Sequence, residues 1–253
     1  MNDERMMKEV IEIAREAGKA ILAFYQEDIE VSLKEDESPL TKADLAAHRV
    51  ISRSLSRLTP EIPLLSEEGG IEGYEVRRAW NRYWLVDPLD GTKEFIKKNG
   101  EFTVNIALIE HGVPVLGVVH IPAKKLTYTG EKSAGSYRIE EGGEPVRIRS
   151  GKPDLEKPLV VITSRSHRSD DLEEKLAELN VQIGQTIPAG SSLKFCLVAE
   201  GKADIYPRFG PTMEWDTAAG DAVFRYSGGR GPRKSSLVYN KESLRNEGFI
   251  IGL

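Results

Sequence analysis

Cysteine is nearly absent from this 253-residue chain; Cys196 is the single one. No disulfide can form within the chain, which excludes a small stapled scaffold and fits a reducing compartment. Cys196 itself lies in the apolar run LKFCLVAEG and reads as core. A basic cluster is also missing: 35 Lys and Arg stand against 40 Asp and Glu, for a net charge of −5. That balance argues against a nucleic-acid partner, although a local field of opposite sign can still hold a small phosphorylated ligand. No window approaches the ~20 apolar residues of a transmembrane helix. The opening stretch MNDERMMKEVIEIAREAGKAILAFYQ mixes acids and bases and lacks the apolar core of a signal peptide. The expected location is the cytoplasm, with loose association with the inner face of the cell membrane left open. Internal repeats, heptads and low-complexity tracts are absent too.

What remains is an ordinary globular composition, 40% hydrophobic and 30% charged. Met7, Val10, Ile11, Ala14, Ala17, Ile21 and Phe24 recur at helical spacing. TKAD at 41–44 has the form of a capping box and opens a second helix that stops at Pro60. Between them VSLKEDESPL reads as a polar loop or a short hairpin. The period then switches to two: Phe102, Val104, Ile106 and Leu108 alternate, and VPVLGVVH follows across a His111-Gly112 turn. LTYT, SYRI and VRIR predict shorter strands. After the turn-forming segment 149–158, strand and helix patterns alternate to the end. The expectation is an α+β half over 1–150 that binds metal, a smaller α/β half over 151–253 that binds substrate, and a site between them.

The stretch WLVDPLDGTKEF raises the functional question. Two carboxylates, Asp87 and Asp90, close an apolar strand, where they repel each other unless a cation or proton compensates. Pro88 stiffens the corner, Gly91 permits close backbone approach, and Thr92 opens a helix. Oxygen ligands for a hard cation beside N–H donors for an anion make a metal-assisted phosphate site. A turn capped by Asp90 accounts for Asp90 but leaves Asp87 without a role. The phosphoaspartyl pattern D-x-D-x-T does not fit, since these acids are three positions apart. Further oxygen ligands come from Glu67 or Glu68 in PLLSEEGG, of which one faces a common site, and from Asp216 in EWDTAAGDAV.

E-E at 67–68, D-P-L-D-G-T at 87–92 and W-D-x-A-A-G at 215–220, in that order, resemble the inositol monophosphatase superfamily. The segments YWLVDPLDGTKEFIKKNGEFTVNIALIE, SRSH, GSSLKFCLVAEGKADIYPRFGPTMEWDTAAG and GFIIGL extend the resemblance over nearly the whole chain and are similar to the bacterial 3'(2'),5'-bisphosphate nucleotidase branch. The resemblance implies a layered αβαβα sugar-phosphatase fold and two or three Mg2+ ions, with Li+ as inhibitor. It places the metal ligands at Glu67, Asp87, the Leu89 carbonyl, Asp90 and Asp216. Asp44 and Thr92 match the pair that orients and deprotonates the attacking water, and Glu67 completes the catalytic set. Substrate would meet Glu67, Leu89, Asp90, Gly91, Thr92 and Asp216 around the scissile phosphate. Ser191, Lys194 and Arg208 match a grip on a 5'-phosphate, and His167 a residue beside adenine.

The activity so implied is removal of the 3'-phosphate from 3'-phosphoadenosine 5'-phosphate, or from its sulfated relative 3'-phosphoadenylyl sulfate, by direct attack of a metal-activated water. An inositol-1-phosphate or fructose-1,6-bisphosphate phosphatase would share every ligand, and a non-catalytic phosphonucleotide sensor is a more remote alternative. The implied partner is a small phosphorylated nucleotide. Oligomeric state, and the purpose of Asp221 and Arg225 in an otherwise small-residue helix, are left open.

Overall fold

A computed structural model of the protein describes residues 3–25, 31–33, 39–166, 172–228 and 236–253. Two helices, α1 (Asp3–Tyr25) and α2 (Lys42–Leu58), form the first layer; between them β1 (Val31–Leu33) and β2 (Pro39–Thr41) pair antiparallel, so that loop is a hairpin. The capping box forms as expected: Thr41 Oγ1 accepts the Ala43 N–H at 3.2 Å, and Asp44 Oδ2 accepts the Thr41 N–H at 2.8 Å.

A seven-stranded sheet follows. β3 (Leu64–Ser66) runs parallel to β4 (Arg82–Asp90), with the short helix α3 (Tyr74–Arg77) between them. Past helix α4 (Thr92–Ile96), the strands β5 (Thr103–Glu110), β6 (Val113–Ile121), β7 (Leu126–Glu131), β8 (Gly135–Glu140) and β9 (Val146–Arg147) continue in sequence order as an antiparallel meander. The β5–β6 turn holds His111 at φ 49° and Gly112 at φ 75°, the paired positive values of a two-residue hairpin.

The alternation along these strands sorts two cores. Trp84, Val86, Val104, Ile106, Leu108 and Val118 face α1 and α2, where Val10, Ala14, Ala17 and Ile21 are buried. Tyr83, Leu85, Ala107, Ile109 and Val119 face the opposite way, onto the helices α6 (Leu193–Ala199) and α7 (Glu214–Tyr226). Both sheet faces are therefore buried, which is why β4 reads as a nearly continuous apolar run.

Beyond α6 and α7 lies a second, smaller set of strands. β10 (Leu159–Ser164) pairs parallel with β11 (Ile183–Ala189), and Val161 bridges to Ile205 beside β12 (Tyr206–Arg208). β13 (Thr212–Met213) and β14 (Arg245–Asn246) pair with each other, and β15 (Phe249–Ile251) pairs with β12. Helix α5 (Leu172–Glu178) covers this sheet through Leu176, against Leu159, Val161 and Ile205. Helix, sheet, helix, sheet, helix is the αβαβα order that the resemblance implied. Because α7 packs on β5, β6 and β7, the second half of the chain supplies a core layer for the first.

Asp221 and Arg225 have a structural explanation. Arg225 Nε donates to Asp221 Oδ2 at 2.8 Å, Tyr239 Oη donates to the same oxygen at 3.0 Å, and Arg225 Nη2 donates to the Leu237 carbonyl at 2.8 Å. The pair ties segment 237–239 to α7. Cys196 is fully buried, as core.

Candidate active site

Two acids three residues apart on a regular strand point to opposite faces. Here Asp87 pairs with Asn105 and Asp90 with Thr103, so β4 carries one residue more than β5 over this interval. That bulge restores the parity and turns both carboxylates to one side. Pro88 has no N–H to contribute to the ladder, and the Leu89 N–H donates to Asp87 Oδ1 at 3.0 Å, which holds the corner. Asp90 remains in the strand and does not cap α4; the cap position is Gly91, at φ 87°. A left-handed backbone there favours glycine, and a Cβ would stand 3.1 Å from the Ser191 Cβ.

Glu67 follows β3, its N–H held by the Val86 carbonyl at 3.1 Å. Asp216 sits in the first turn of α7, accepting the Met213 N–H at 2.8 Å. Carboxylate oxygens of Glu67, Asp87 and Asp216 all lie within 4.8 Å of one another. Asp90 adjoins them and accepts Asn105 Nδ2 at 3.2 Å and Thr103 Oγ1 at 3.4 Å. These two partners were missed in the sequence reading. The signal for them was a Thr and an Asn inside an otherwise apolar strand, in register with the acids.

The electrostatics of the cluster ask for a cation. Burial pushes the Asp87 carboxyl well above the usual carboxylate range, and the charges of Glu67, Asp90 and Asp216 push it further. Asp216 is raised by burial and then by Asp90. Asp90 is raised by burial too, against the pull of Lys194 and the hydrogen bonds of Ser192 and Asn105. Buried acids at this separation need protons or a cation, and an all-oxygen donor set suits a hard divalent ion. The residues present therefore fit Mg2+.

These groups line a cavity of about 260 Å3. Gly91, Thr92, Ser191, Lys194 and Arg208 line it with them. Lys194 is buried and lies over the Tyr206 ring, with Nζ 5.5 Å from the centroid. Burial lowers its pKa, which the charge of Asp90 opposes. Arg208 Nη2 donates to the Pro211 carbonyl at 3.1 Å, while its Nε is buried without a hydrogen-bond partner among the described residues. A buried donor in that state is a place for an incoming acceptor. Ser191 Oγ donates to the Glu101 carbonyl at 2.7 Å.

Asp44 does not line the cavity but stands behind Thr92, which does. Its Oδ2 accepts the Thr41 hydroxyl at 2.5 Å as well as the Thr41 N–H, and its Oδ1 faces Thr92 Oγ1 at 3.4 Å. One carboxylate thus caps a helix with one oxygen and touches the cavity threonine with the other. Glu68 is not part of the lining, so of the two adjacent acids Glu67 faces the site. His167 lies outside the described residues. Lys93, Glu94, Ser164 and Tyr206 also line the cavity, and nothing in their own spacing announced them.

Comparison with known proteins accords with this geometry. The model of the inositol monophosphatase family matches residues 2–234. The 3'(2'),5'-bisphosphate nucleotidase CysQ of Salmonella typhimurium is 52% identical over 253 residues, covering 97% of this chain and 99% of that protein. The Escherichia coli K12 protein of the same name is 51% identical over 255 residues, covering 98% and 100%. A crystal structure of CysQ from Bacteroides thetaiotaomicron superposes with a TM-score of 0.80 at 42% identity, covering 98% of this chain and 97% of that one. With the layered fold, the converging carboxylates and these matches together, the chain belongs to the inositol monophosphatase family.

Proposed function

We propose that the protein hydrolyses the 3'-phosphate ester of 3'-phosphoadenosine 5'-phosphate to AMP and phosphate, with 3'-phosphoadenylyl sulfate as a second substrate. The observation that carries this reading is the lining of one cavity, where Lys194 and Arg208 stand together with the carboxylates. A simple monoester needs the carboxylates and their metal alone. Two further cationic side chains in the same cavity suit a substrate with a second phosphate, whose charge they offset. Relatives at 51% and 52% identity bear the name of a bisphosphate nucleotidase. The role that follows is clearance of a by-product of sulfate assimilation in the cytoplasm.

Glu67, Asp87, Asp90, Asp216 and the Leu89 carbonyl would hold the Mg2+ ions, two or three in number, with Li+ competing for their place. When bound, Mg2+ would neutralise the scissile phosphate and acidify a water at neutral pH. The chain's own groups do the rest. Thr92, with Asp44 behind its hydroxyl, would orient the attacking water and pass its proton to the carboxylate. The backbone N–H groups of Gly91 and Thr92 would take the non-bridging oxygens as charge spreads over them. Water would attack phosphorus in line, the ester P–O bond would break, and the ribose oxygen would take up a proton from a second water. Ser191, Lys194 and Arg208 would hold the 5'-phosphate, with His167 beside the base. In this reading residues 1–150 carry the metal ligands apart from Asp216, and 151–253 supply Asp216 and the grip on the second phosphate.

The test is phosphate release from 3'-phosphoadenosine 5'-phosphate, inositol 1-phosphate and fructose 1,6-bisphosphate, with Mg2+, with and without Li+. A lithium-sensitive preference for the nucleotide, abolished by Asp90→Asn, is expected. Preference for either sugar phosphate would overturn the nucleotide assignment and leave the metal centre standing.

A further inference from the structure

Glu101, between α4 and β5, is buried and is not part of the cavity lining, yet it governs one wall of the cavity. Its carboxylate accepts Arg165 Nε at 2.8 Å, Arg165 Nη2 at 3.1 Å and the Gly190 N–H at 2.9 Å. Lys124 Nζ stands 3.4 Å away. Arg165 Nη2 also donates to the Pro188 carbonyl at 2.9 Å, and the Arg165 N–H to the Ala189 carbonyl at 3.1 Å. The guanidinium thus ties the ends of β10 and β11, and Glu101 holds that knot onto the first half of the chain.

Two more contacts act on the same corner. The Glu101 carbonyl takes the Ser191 hydroxyl, and Gly190 backs onto Glu101 so closely that a Cβ would lie 2.9 Å from the Glu101 carbonyl oxygen and 3.0 Å from its Cβ. Ser191 is held at φ 42°, a left-handed conformation that strains a non-glycine residue and persists only where its surroundings over-determine it. Ser192 completes the corner, accepting Asn105 Nδ2 at 2.9 Å and donating to the Asp216 carbonyl at 2.7 Å. Lys194 follows within the first turn of α6.

We propose that Glu101 is a positioning residue for substrate selectivity: by clamping the Gly190–Ser192 corner, with the Ser191 hydroxyl held by the Glu101 carbonyl, it places Lys194 for the second phosphate without touching substrate itself. The proposal rests on the bisphosphate reading above. Glu101→Gln keeps the volume but replaces one acceptor oxygen with a donor that opposes Arg165. Arg165→Gln loosens the same clamp from its exposed end, where folding is least at stake.

The experiment compares 3'-phosphoadenosine 5'-phosphate with adenosine 3'-monophosphate, which lacks the second phosphate, in wild type and both variants. A wild-type preference for the bisphosphate is read first; its absence would overturn the bisphosphate assignment and the role of Glu101 with it. Given that preference, Glu101→Gln is expected to raise KM for the bisphosphate about tenfold, with kcat for both substrates and KM for the monophosphate within about twofold of wild type. Arg165→Gln shifts selectivity in the same direction. An unchanged selectivity ratio, or equal losses on both substrates alongside a lower melting temperature, would show that Glu101 only stabilises the fold.

Discussion

Single side chains in this protein often hold two assignments at once. Asp44 caps α2 and meets Thr92; a local pattern accounts for the first and is silent on the second. Lys194 and Arg208 are carried to the cavity by α6 and β12, in the second half of the chain, and if they grip a second phosphate their removal has a selective signature. Lys194→Ala and Arg208→Ala are each expected to cost at least tenfold in kcat/KM for the bisphosphate, with inositol 1-phosphate hydrolysis little affected. Equal losses on both substrates would refute the grip.

His120 shows a different residue-scale effect. It is buried against Gly18 of α1, with Nδ1 3.0 Å from Thr127 Oγ1. Burial lowers its pKa from 6.5 to about 4, helped by the charge of Arg15 and opposed by Glu141. A histidine kept neutral by the fold binds fewer protons folded than unfolded between those values. Its contribution to stability is complete above pH 6.5 and is lost as the pH falls toward 4, on the order of 3 kcal/mol. Urea denaturation of His120→Gln from pH 7 to pH 4 is expected to show a shallower fall than wild type; parallel curves would assign the acid sensitivity elsewhere.

At the scale of elements, the decisive contact is α7 lying flat on the first sheet. Glycines on adjacent strands make the approach: a Cβ at Gly117 would stand 2.5 Å from the Ala219 carbonyl oxygen, and one at Gly130 would stand 2.4 Å from that of Ala222. Both obstacles are backbone, so neither can rotate aside. Gly130→Ala is expected to destabilise by about 3 kcal/mol, at the upper end for overpacking, and to lower activity because α7 carries Asp216. Thermal unfolding and Mg2+-dependent turnover of the variant check both; a melting temperature near wild type would mean that the helix can lift off. The bulge in β4 belongs to the same scale, since a single extra residue sets where both acids point.

For the molecule as a whole, the acid cluster is a fault line that a cation closes. Glu67, Asp87 and Asp216 come from three segments spread over the chain, and their mutual repulsion works against the packing of the two halves. Mg2+ at about 100 times its Kd is expected to add roughly 2.7 kcal/mol of stability by mass action. Asp87→Asn removes one buried charge. It is expected to raise the melting temperature in EDTA while abolishing most of the gain from Mg2+. A variant that kept the full Mg2+ gain would place the ion elsewhere. No helix among the described residues is long and apolar enough to cross a membrane.

The sequence by itself determined the helix of TKAD, the hairpin at His111-Gly112, the period-two strand that precedes that turn and the acids at a strand end. Each follows from periodicity, turn chemistry or side-chain type within a short window. That both faces of the central strands are buried came from the structure. The ligand assignments beyond that window came from resemblance, because nothing local relates Glu67 to Asp216. Only the tertiary structure decided that Asp87 and Asp90 share a face, since a bulge is a property of pairing and not of one strand. It alone showed that Asn105 and Thr103 hold Asp90, and that Glu101 holds the corner before Lys194. The physical reason is the same in each case. Such contacts join residues whose separation along the chain carries no periodicity, and they form only where the layered packing of helices and sheets brings those residues together.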